Sequence, residues 1–515
     1  MTYDGGSILR AAQQQALDEA SVRAGTPAED LMESAGTHAS EWILSRLHPR
    51  HAVVVAGPGG NGGDAYVVAR RLRQAGTAVR TFALREMERC SDLTQTMAER
   101  LTDLGERIEV LETDRSALND ALDEADCIID GLFGSGLSRP LIGASAGIIS
   151  LLNDSAVPVV SLDLPSGLAS DSGMVRGSTI RADVTLAMAF YKPSHWLYPA
   201  AEYCGSIHIM GVDYPEKMAS QVLPIAHVPE SNAIAAMLPL RKPTGHKGTF
   251  GHVLAVVGSQ GMTGAAILCA RGALRAGVGL VTLALPETIA PVIQSAIPEA
   301  TTVPLPDRNG RLVDPEVLEH LRSAMERADV LTIGPGLSRE SGTMELVRRL
   351  IAAFSGKLVI DADAVHAIAN EPDLLEGLAG RAVLTPHPGE FAALVGLPTR
   401  DVDVNRLEQV EEFVSRHALH LVLKGRPTVI GLPDRPMIVN PTGNTGLGTG
   451  GSGDVLTGLL AGLIAGGSSL SDASVAAPFI HGLAADRWAV DRSERSLTPS
   501  DVLDEIPRIL KELAP

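Results

Sequence analysis

Two α/β domains in tandem are predicted for this chain of 515 residues by three observations. Apolar runs end repeatedly in Gly or Asp, amphipathic helical stretches alternate with them, and the alternation lapses once near the middle. The first-half runs are Ala52-Val-Val-Val-Ala, Val79-Arg-Thr-Phe-Ala-Leu84, Cys127-Ile-Ile-Asp, Pro158-Val-Val-Ser-Leu-Asp and Asp183-Val-Thr-Leu-Ala-Met-Ala. Near-continuous Val, Ile and Leu runs suit parallel strands covered by helices on both faces. Between Gly211 and Gly251 the rhythm stops at Tyr214-Pro, Leu223-Pro, Val228-Pro, Leu238-Pro and Lys242-Pro, because proline interrupts regular elements. The expected division is a first domain over 1–215, a proline-rich linker over 216–240 and a second domain over 241–515. The second half resumes with His252-Val-Leu-Ala-Val-Val, Gly279-Leu-Val-Thr-Leu-Ala, Asp329-Val-Leu-Thr-Ile, Lys357-Leu-Val-Ile-Asp, Ala382-Val-Leu-Thr and His420-Leu-Val-Leu-Lys. The turns after the two opening strands differ in spacing, so no internal duplication is read.

Composition narrows the function classes. With 45% hydrophobic and 20% charged residues, the chain is neither disordered nor a coiled coil. A formal net charge of -18 repels nucleic acid and anionic membrane surfaces, so any anionic ligand must be held locally. Cys90, Cys127, Cys204 and Cys269 form no C-x-x-C pair, which suggests neither zinc nor a disulfide framework and fits a reducing cytoplasm. The first residues lack the basic-then-apolar pattern of an export signal, and the longest apolar stretch, 455–465, is too short for a bilayer. A cytoplasmic, homo-oligomeric protein without nucleic-acid or membrane partners is expected.

In Gly57-Pro-Gly-Gly-Asn-Gly-Gly-Asp64, glycines 57, 59 and 62 match G-x-G-x-x-G. Such a turn brings backbone N–H groups and a helix N-terminus to a pyrophosphate, and it equally suits any tight strand-to-helix connection. A Rossmann-like three-layer domain follows. A redox dinucleotide site also needs an acidic residue at the end of the second strand, where Arg85 stands instead. That arginine either accepts a 2′-phosphate or is simply solvated, and solvation is the favoured reading. Asp130, Asp163 and Ser166 follow apolar strands and, with Asn61, make a set of oxygen ligands that suits a hard cation plus one carboxylate for proton transfer. Helix capping is the plainer alternative for each Asp.

Near the C-terminus, Gly446-Leu-Gly-Thr-Gly-Gly-Ser-Gly-Asp454 precedes an apolar helix. Amides of Gly450, Gly451, Ser452 and Gly453 can hold a transferring phosphoryl group while Asp454 receives a hydroxyl proton. No G-x-x-x-x-G-K-[ST] occurs. Lys424-Gly-Arg-Pro-Thr428 offers a cation and a hydroxyl to phosphates, although a strand-end lysine is more often solvent-exposed. Gly258-Ser-Gln-Gly-Met-Thr-Gly-Ala-Ala266, Gly334-Pro-Gly336 and Thr385-Pro-His-Pro-Gly-Glu390 are substrate-side candidates, with His387 a rigid donor between prolines. Asp361 and Asp363 either position a cation or cap a helix, capping being at least as favoured.

On these motifs the first half resembles the epimerase domain of the NAD(P)H-hydrate repair enzymes, through Gly57 to Asp64, Asp130-Gly-Leu-Phe-Gly-Ser-Gly-Leu and Asp163-Leu-Pro-Ser-Gly167. The resemblance implies potassium on Asn61, Asp130 and Ser166. It implies substrate contacts at Gly60, Asn61, Gly62, Gly63, Asp64, Gly134, Ser135, Gly136, Leu137, Ser138, Arg139, Pro140 and Asp163. The family more often has Asn at the position of Gly60 and Gly at that of Ala65. The second half resembles the ribokinase-like NAD(P)H-hydrate dehydratases, which implies hydrate contacts at Ala265, Gly336, His387 and Asp454. Nucleotide contacts fall on Lys424, Gly425, Arg426, Pro427, Thr428 and Gly453.

The implied activity is repair of NADH or NADPH hydrated at C6: epimerisation of the two hydrates with Asp163 shuttling a proton, then dehydration of the S form through phosphorylation by ADP, with Asp454 as base and Mg2+ on the phosphates. The nicotinamide nucleotide is then a damaged substrate rather than a redox cofactor. Two rival readings remain open at this point. A vitamin-precursor kinase would share the Gly-Ser-Gly-Asp loop but release a stable phosphorylated product, and a nucleotide sensor would bind without needing Asp163 and Asp454.

Overall fold

The computed structural model describes residues 6–111, 115–369 and 371–513. The chain divides into two compact units, Gly6–Ala226 and a second that begins at His227. The division falls inside the proline-crowded stretch. The second unit starts before residue 241, because helix Ser231–Met237 buries Ile234 and Met237 in that unit's core. Prolines punctuate this segment without leaving it irregular throughout.

In the first unit, seven strands form one sheet: β1 (His51–Ala56), β2 (Ala78–Ala83), β3 (Ile108–Val110), β4 (Cys127–Gly131), β5 (Val159–Leu162), β6 (Val184–Met188) and β7 (Ser206–Met210). Their order is β3-β2-β1-β4-β5-β6-β7 and every pairing is parallel. From β1 the chain winds outward through β2 and β3, then returns to β4 on the other side of β1. That reversal opens a crevice beyond the carboxyl ends of β1 and β4. Helix α1 (Gly60–Gln74) enters it N-terminus first. Val53, Val55 and Ile128 face one apolar layer, and Val54, Ile129 and Val160 face the other, as alternation along a doubly covered strand requires.

The second unit repeats the principle with β8 (His252–Val256), β9 (Leu280–Pro286), β10 (Thr301–Leu305), β11 (Val330–Ile333), β12 (Lys357–Ile360), β13 (Ala382–Leu384), β14 (His420–Leu423), β15 (Thr428–Gly431) and β16 (Met437–Asn440). The order is β16-β15-β14-β13-β12-β11-β8-β9-β10, and the reversal now lies between β8 and β11. β15 and β16 run antiparallel, so the sheet is mixed at that side where the sequence rhythm predicts parallel strands alone. A return of only Lys424-Gly-Arg-Pro between β14 and β15 is too short for a parallel crossover.

Helix α2 (Thr263–Arg275) packs against helix α3 (Ser452–Ala465), which is apolar almost all round and buried from Val455 to Ala465. Glycine sets their separation: a Cβ on Gly458 would lie 1.9 Å from the Cys269 carbonyl oxygen. Much of the glycine wealth of the chain serves such approaches. Among the described residues no helix is long and apolar enough to cross a membrane.

Gly458→Ala is expected to lower the thermal stability of the second unit. Helix propensity favours alanine by about 1 kcal/mol, but overpacking against a backbone carbonyl costs about 1–3 kcal/mol or more, so the clash wins. Gly448→Ala, which meets nothing within 4 Å, is the control. Equal melting temperatures for the two variants would contradict this reading of the helix pair.

Candidate active sites

The Gly57 turn fixes the first site. A Cβ on Gly57 would stand 1.6 Å from the Leu132 carbonyl oxygen, and one on Gly62 would stand 1.8 Å from the Gly57 carbonyl oxygen. Gly59 faces open space. Two glycines of the motif are therefore steric necessities, and the third leaves room beside the helix N-terminus. Beyond the turn lies a cavity of about 490 Å3 lined in part by Gly59, Gly60, Asn61, Asp64, Gly134, Ser135, Gly136, Leu137 and Asp163. Gly62 and Gly63 are buried behind it, whereas Ser138, Arg139 and Pro140 are exposed and do not line it. Arg85 is exposed.

Asp130 is fully buried inside β4, opposite Ser161 in the register. Its carboxylate accepts from Ser161 Oγ at 2.8 Å, Ser166 Oγ at 2.6 Å, Ser166 N at 3.0 Å and Leu132 N at 3.2 Å. Four donors fill the lone-pair sites of a carboxylate, so this side chain caps no helix and holds Ser166 in place. Burial raises the Asp130 carboxyl while these hydrogen bonds oppose the rise. Both polar atoms of the Asn61 amide are buried without a protein partner, an arrangement that asks for a ligand. Gly134 connects these groups, since a Cβ there would lie 3.2 Å from Asp163 Oδ2 and 3.3 Å from Asn61 Cγ.

Asp163 follows β5 in a left-handed conformation, φ 62, a backbone state that costs a non-glycine residue about 1–3 kcal/mol. Surrounding bonds hold it there. Its N–H donates to the Leu186 carbonyl at 2.8 Å, and its Oδ1 is ion-paired with Lys192, whose side chain has no exposure. Lys192 Nζ also donates to the Met188 and Phe190 carbonyls, both at 3.1 Å. The Lys192 N–H donates to His195 Nδ1 at 3.0 Å. Nε2 therefore carries the imidazole hydrogen and donates to the Asp163 carbonyl at 2.8 Å. Burial first, then the Lys192 charge, pushes His195 down to about 4, so it serves as a neutral strut.

Two more carboxyls face the same cavity. Burial drives Asp64 well above the carboxylate range, with Asp163 and Asp18 adding to the rise and Lys192 opposing it. Asp18 is raised chiefly by burial and accepts from Tyr214 Oη at 2.6 Å. Lys192, His195, Asp18 and Tyr214 are absent from the sequence-based set. Lys192-Pro193 and Tyr214-Pro215 carry no spacing signal, and Asp18 comes from an ordinary amphipathic helix.

In the second unit, the turn after β8 and the turn after β11 interlock at the sheet reversal. Gly258 N donates to the Pro335 carbonyl at 2.8 Å, and Ser259 Oγ donates to the Gly336 carbonyl at 2.7 Å. Gly336, with φ +65, would place a Cβ 3.0 Å from Ala265 Cβ, so these two predicted contacts do adjoin. His387 begins helix Pro388–Val395, and its Nδ1 accepts from Gly389 N at 3.0 Å and Glu390 N at 3.2 Å. Nε2 carries the hydrogen and stands 3.3 Å from Glu390 Oε1, in a side chain that is 54% exposed. The ring is a rigid, accessible donor.

Lys424 is mostly buried rather than solvated. Its Nζ binds Asp361 Oδ1 at 2.6 Å, and its N–H donates to the Pro386 carbonyl at 2.9 Å. Arg406, only 5% exposed, donates from Nη1 to the Lys424 and Pro427 carbonyls at 3.1 and 3.0 Å and so pins the loop that carries Gly425 and Arg426. The Thr428 hydroxyl donates back to the Gly425 carbonyl at 3.1 Å.

The Lys424 ammonium lies 3.4 Å from where a Gly453 Cβ would be, at the mouth of α3. Gly450 meets nothing within 4 Å, and Gly451, with φ +96, begins the helix. Ser452 is buried, its hydroxyl 3.4 Å from His481 Nε2. Asp454, in the first turn, is pushed up to about 7, by burial first and then by the charge of Asp361, with Lys424 opposing. Asp361 caps no helix, since it holds Lys424. Asp363 accepts from Ser338 N at 2.9 Å and Arg339 Nε at 3.0 Å.

Residues 28–194 match the family described as YjeF-related protein N-terminus, and residues 253–508 match that described as NAD(P)H-hydrate dehydratase. Similar full-length relatives include the bifunctional NAD(P)H-hydrate repair enzyme Nnr of Moorella thermoacetica, 36% identical over 513 residues that cover 98% of this chain and 97% of the relative. The protein of the same name from Thermofilum pendens is 34% identical over 509 residues, covering 98% and 96%. A crystal structure of the ADP/ATP-dependent NAD(P)H-hydrate dehydratase from Bacillus subtilis, co-crystallised with ATP and Mg2+, has 31% identity and a TM-score of 0.47, covering 55% of this chain and 97% of its own.

Lys192→Met should destabilise the first unit by about 3–5 kcal/mol, because it strands the Asp163 charge in a buried position. Adding Asp163→Asn should recover most of that loss while leaving the site inactive. Chemical denaturation of the two variants checks this, and additive losses would show that the two side chains are not coupled.

Proposed function

The chain belongs to the bifunctional NAD(P)H-hydrate repair enzymes, and from that premise we propose that its two carboxylate sites split one repair between them. The first unit interconverts the two C6 hydrates of NADH or NADPH, and the second dehydrates the S form at the expense of ADP. The observation that carries this reading is the Asp454 carboxyl, raised to about 7 at the N-terminus of an apolar helix beside Lys424. A general base works best with a pKa near the working pH.

In the second unit, Asp454 takes the proton from the C6 hydroxyl as its oxygen attacks the terminal phosphoryl of ADP, releasing AMP. Amides of Gly450 to Gly453 and the helix dipole hold the phosphoryl oxygens, and Lys424 balances their charge. His387 and Gly336 orient the nicotinamide part, with Ala265 packed beside them. The ring nitrogen then expels phosphate, loss of the C5 proton restores the double bond, and NADH or NADPH is regenerated. Lys424 to Thr428 bind the adenine nucleotide. Among the described residues no group of three or more His, Cys, Asp or Glu is placed to hold a metal, so magnesium would arrive on the phosphates and would screen their charge there.

In the first unit, the hydroxyl leaves and returns on the opposite face of the ring. Asp163, ion-paired with Lys192, shuttles the proton, and Asp64, whose carboxyl burial raises, offers a second donor in the same cavity. Potassium would take the Asn61 amide oxygen, which has no partner among the described residues, with the Ser166 hydroxyl, already bonded to Asp130 and Phe133, as a second ligand. Asp130 supplies the balancing charge from behind, because its own lone pairs already receive four donors. The ion would fix the loop around Gly134.

Asp454→Asn should reduce dehydration by about 100- to 10,000-fold and leave epimerisation intact. In the unchanged chain, dehydration measured as kcat/KM should fall as the pH drops below about 7, since Asp454 takes up a proton there. Stoichiometric formation of AMP and inorganic phosphate per NADH is the product test. A stable phosphorylated product would instead indicate a small-molecule kinase.

A further inference from the structure

The Asp454 base sits within reach of an ammonium that would silence it. A lysine closing on a carboxylate lowers its basicity by about 1–3 pKa units, and an ion-paired base accepts a proton poorly. Among the described residues Asp454 makes no ion pair. The ammonium of Lys424 goes instead to Asp361 Oδ1 at 2.6 Å, while Asp361 Oδ2 accepts from Thr457 Oγ1, also at 2.6 Å.

Thr457 is on α3, three residues beyond Asp454, and its hydroxyl also lies 2.9 Å from the Gly453 carbonyl. Asp361 is thus bonded at once to the lysine and to the helix that carries the base. Its own backbone is locked, with its N–H donating to the Ile333 carbonyl at 3.1 Å. A Cβ at Gly334 would lie 1.7 Å from its carbonyl oxygen. With 1% exposure Asp361 cannot rotate into solvent.

Besides Lys424, the charge of Asp361 itself acts on Asp454 and raises it, and the other ionisable groups facing this spot are engaged or neutral. Asp363 is engaged by Arg339, and Glu390 by His387 and the His387 N–H. Burial holds the Cys269 thiol well above its usual range and His481 down to about 4, so both are neutral near pH 7. Lys424 itself is raised: burial pulls it down, but the attraction of Asp361, Glu390 and Asp454 prevails.

Resting on the dehydratase reading above, we infer that Asp361 is a positioning residue, which detains the Lys424 ammonium so that the neighbouring Asp454 carboxylate stays free to take the hydroxyl proton. The lysine remains close enough to meet the phosphoryl group as negative charge develops there. Asp361 touches neither the hydrate nor the nucleotide in this account.

The test is the pH profile of dehydration in the full chain, with epimerisation by the same molecules as the measure of folding. Asp361→Asn keeps the shape and the Thr457 contact but releases the lysine. The acid limb of kcat/KM should move down by about 1–3 pH units, and kcat on the plateau should fall roughly ten-fold, as a weaker base predicts. Lys424→Gln should raise the limb by more in the Asp361→Asn background than in the unchanged chain, because only a released lysine can close on Asp454, whereas loss of the charge of Asp361 lowers the limb with or without the lysine. Where Asp361→Asn does not fold, Asp361→Ser, which also gives up the lysine, takes its place in the same comparison. A limb that stays in place in Asp361→Asn, or a Lys424→Gln shift of equal size in both backgrounds, would overturn the inference. An unchanged chain that regenerates no NADH would instead undo the dehydratase reading itself.

Discussion

Each unit depends on a buried ammonium–carboxylate pair at the carboxyl end of its parallel sheet, Lys192 with Asp163 in the first and Lys424 with Asp361 in the second. Desolvation penalises the charged form of a group placed so deep, and an opposite charge in contact offsets that penalty. Asp64 and Asp454, which face similar surroundings without a lysine of their own, are raised. Each pair therefore sets an ion-paired carboxylate beside a raised carboxyl, and that contrast is the raw material of acid–base chemistry. Such pairs are costly to desolvate and add little net stability. Their value lies in fixing charge at a chosen atom.

The sheets place these pairs. In both units the strand order reverses next to the opening strand, and the gap beyond that reversal receives a glycine turn. The steric demands of Gly57 and Gly62 in one unit, and of Gly334 in the other, bring backbone against backbone at that point. Helix N-termini then supply positive potential inside a chain whose net charge is -18. On the proposed roles, an anionic nucleotide would be drawn by local amides, Lys424 and Arg426 against the net charge of the chain.

Much of this was legible in the residues, and the reason differs by element. Strand–glycine–helix turns carry their own signature, so Gly57 to Asp64 and Gly446 to Asp454 marked both candidate sites. Short antiparallel strands such as Thr428–Gly431 gave no such sign, since four residues after a Lys-Gly-Arg-Pro turn have no measurable period. Asp361 and Lys424 were visible singly but not as a pair, because they lie 63 positions apart and only the sheet joins them. Asp18 and Tyr214 reach the first cavity, and Lys192 and His195 back Asp163 behind it, all from segments without any motif. Asp130 and Asp163 raised the opposite problem: helix capping accounts for about half of such strand-end aspartates, and only the four donors on Asp130 and the buried lysine on Asp163 decide against it.

The account stands or falls on one reaction carried through by one chain. Chemically hydrated NADH, containing both C6 epimers, is incubated with the protein, potassium, magnesium and ADP while the reduced-nicotinamide absorbance is followed. Recovery of the whole amplitude, from both epimers, is the predicted result. Recovery confined to one epimer would contradict the role of the first unit, and no recovery at all would contradict the account in full.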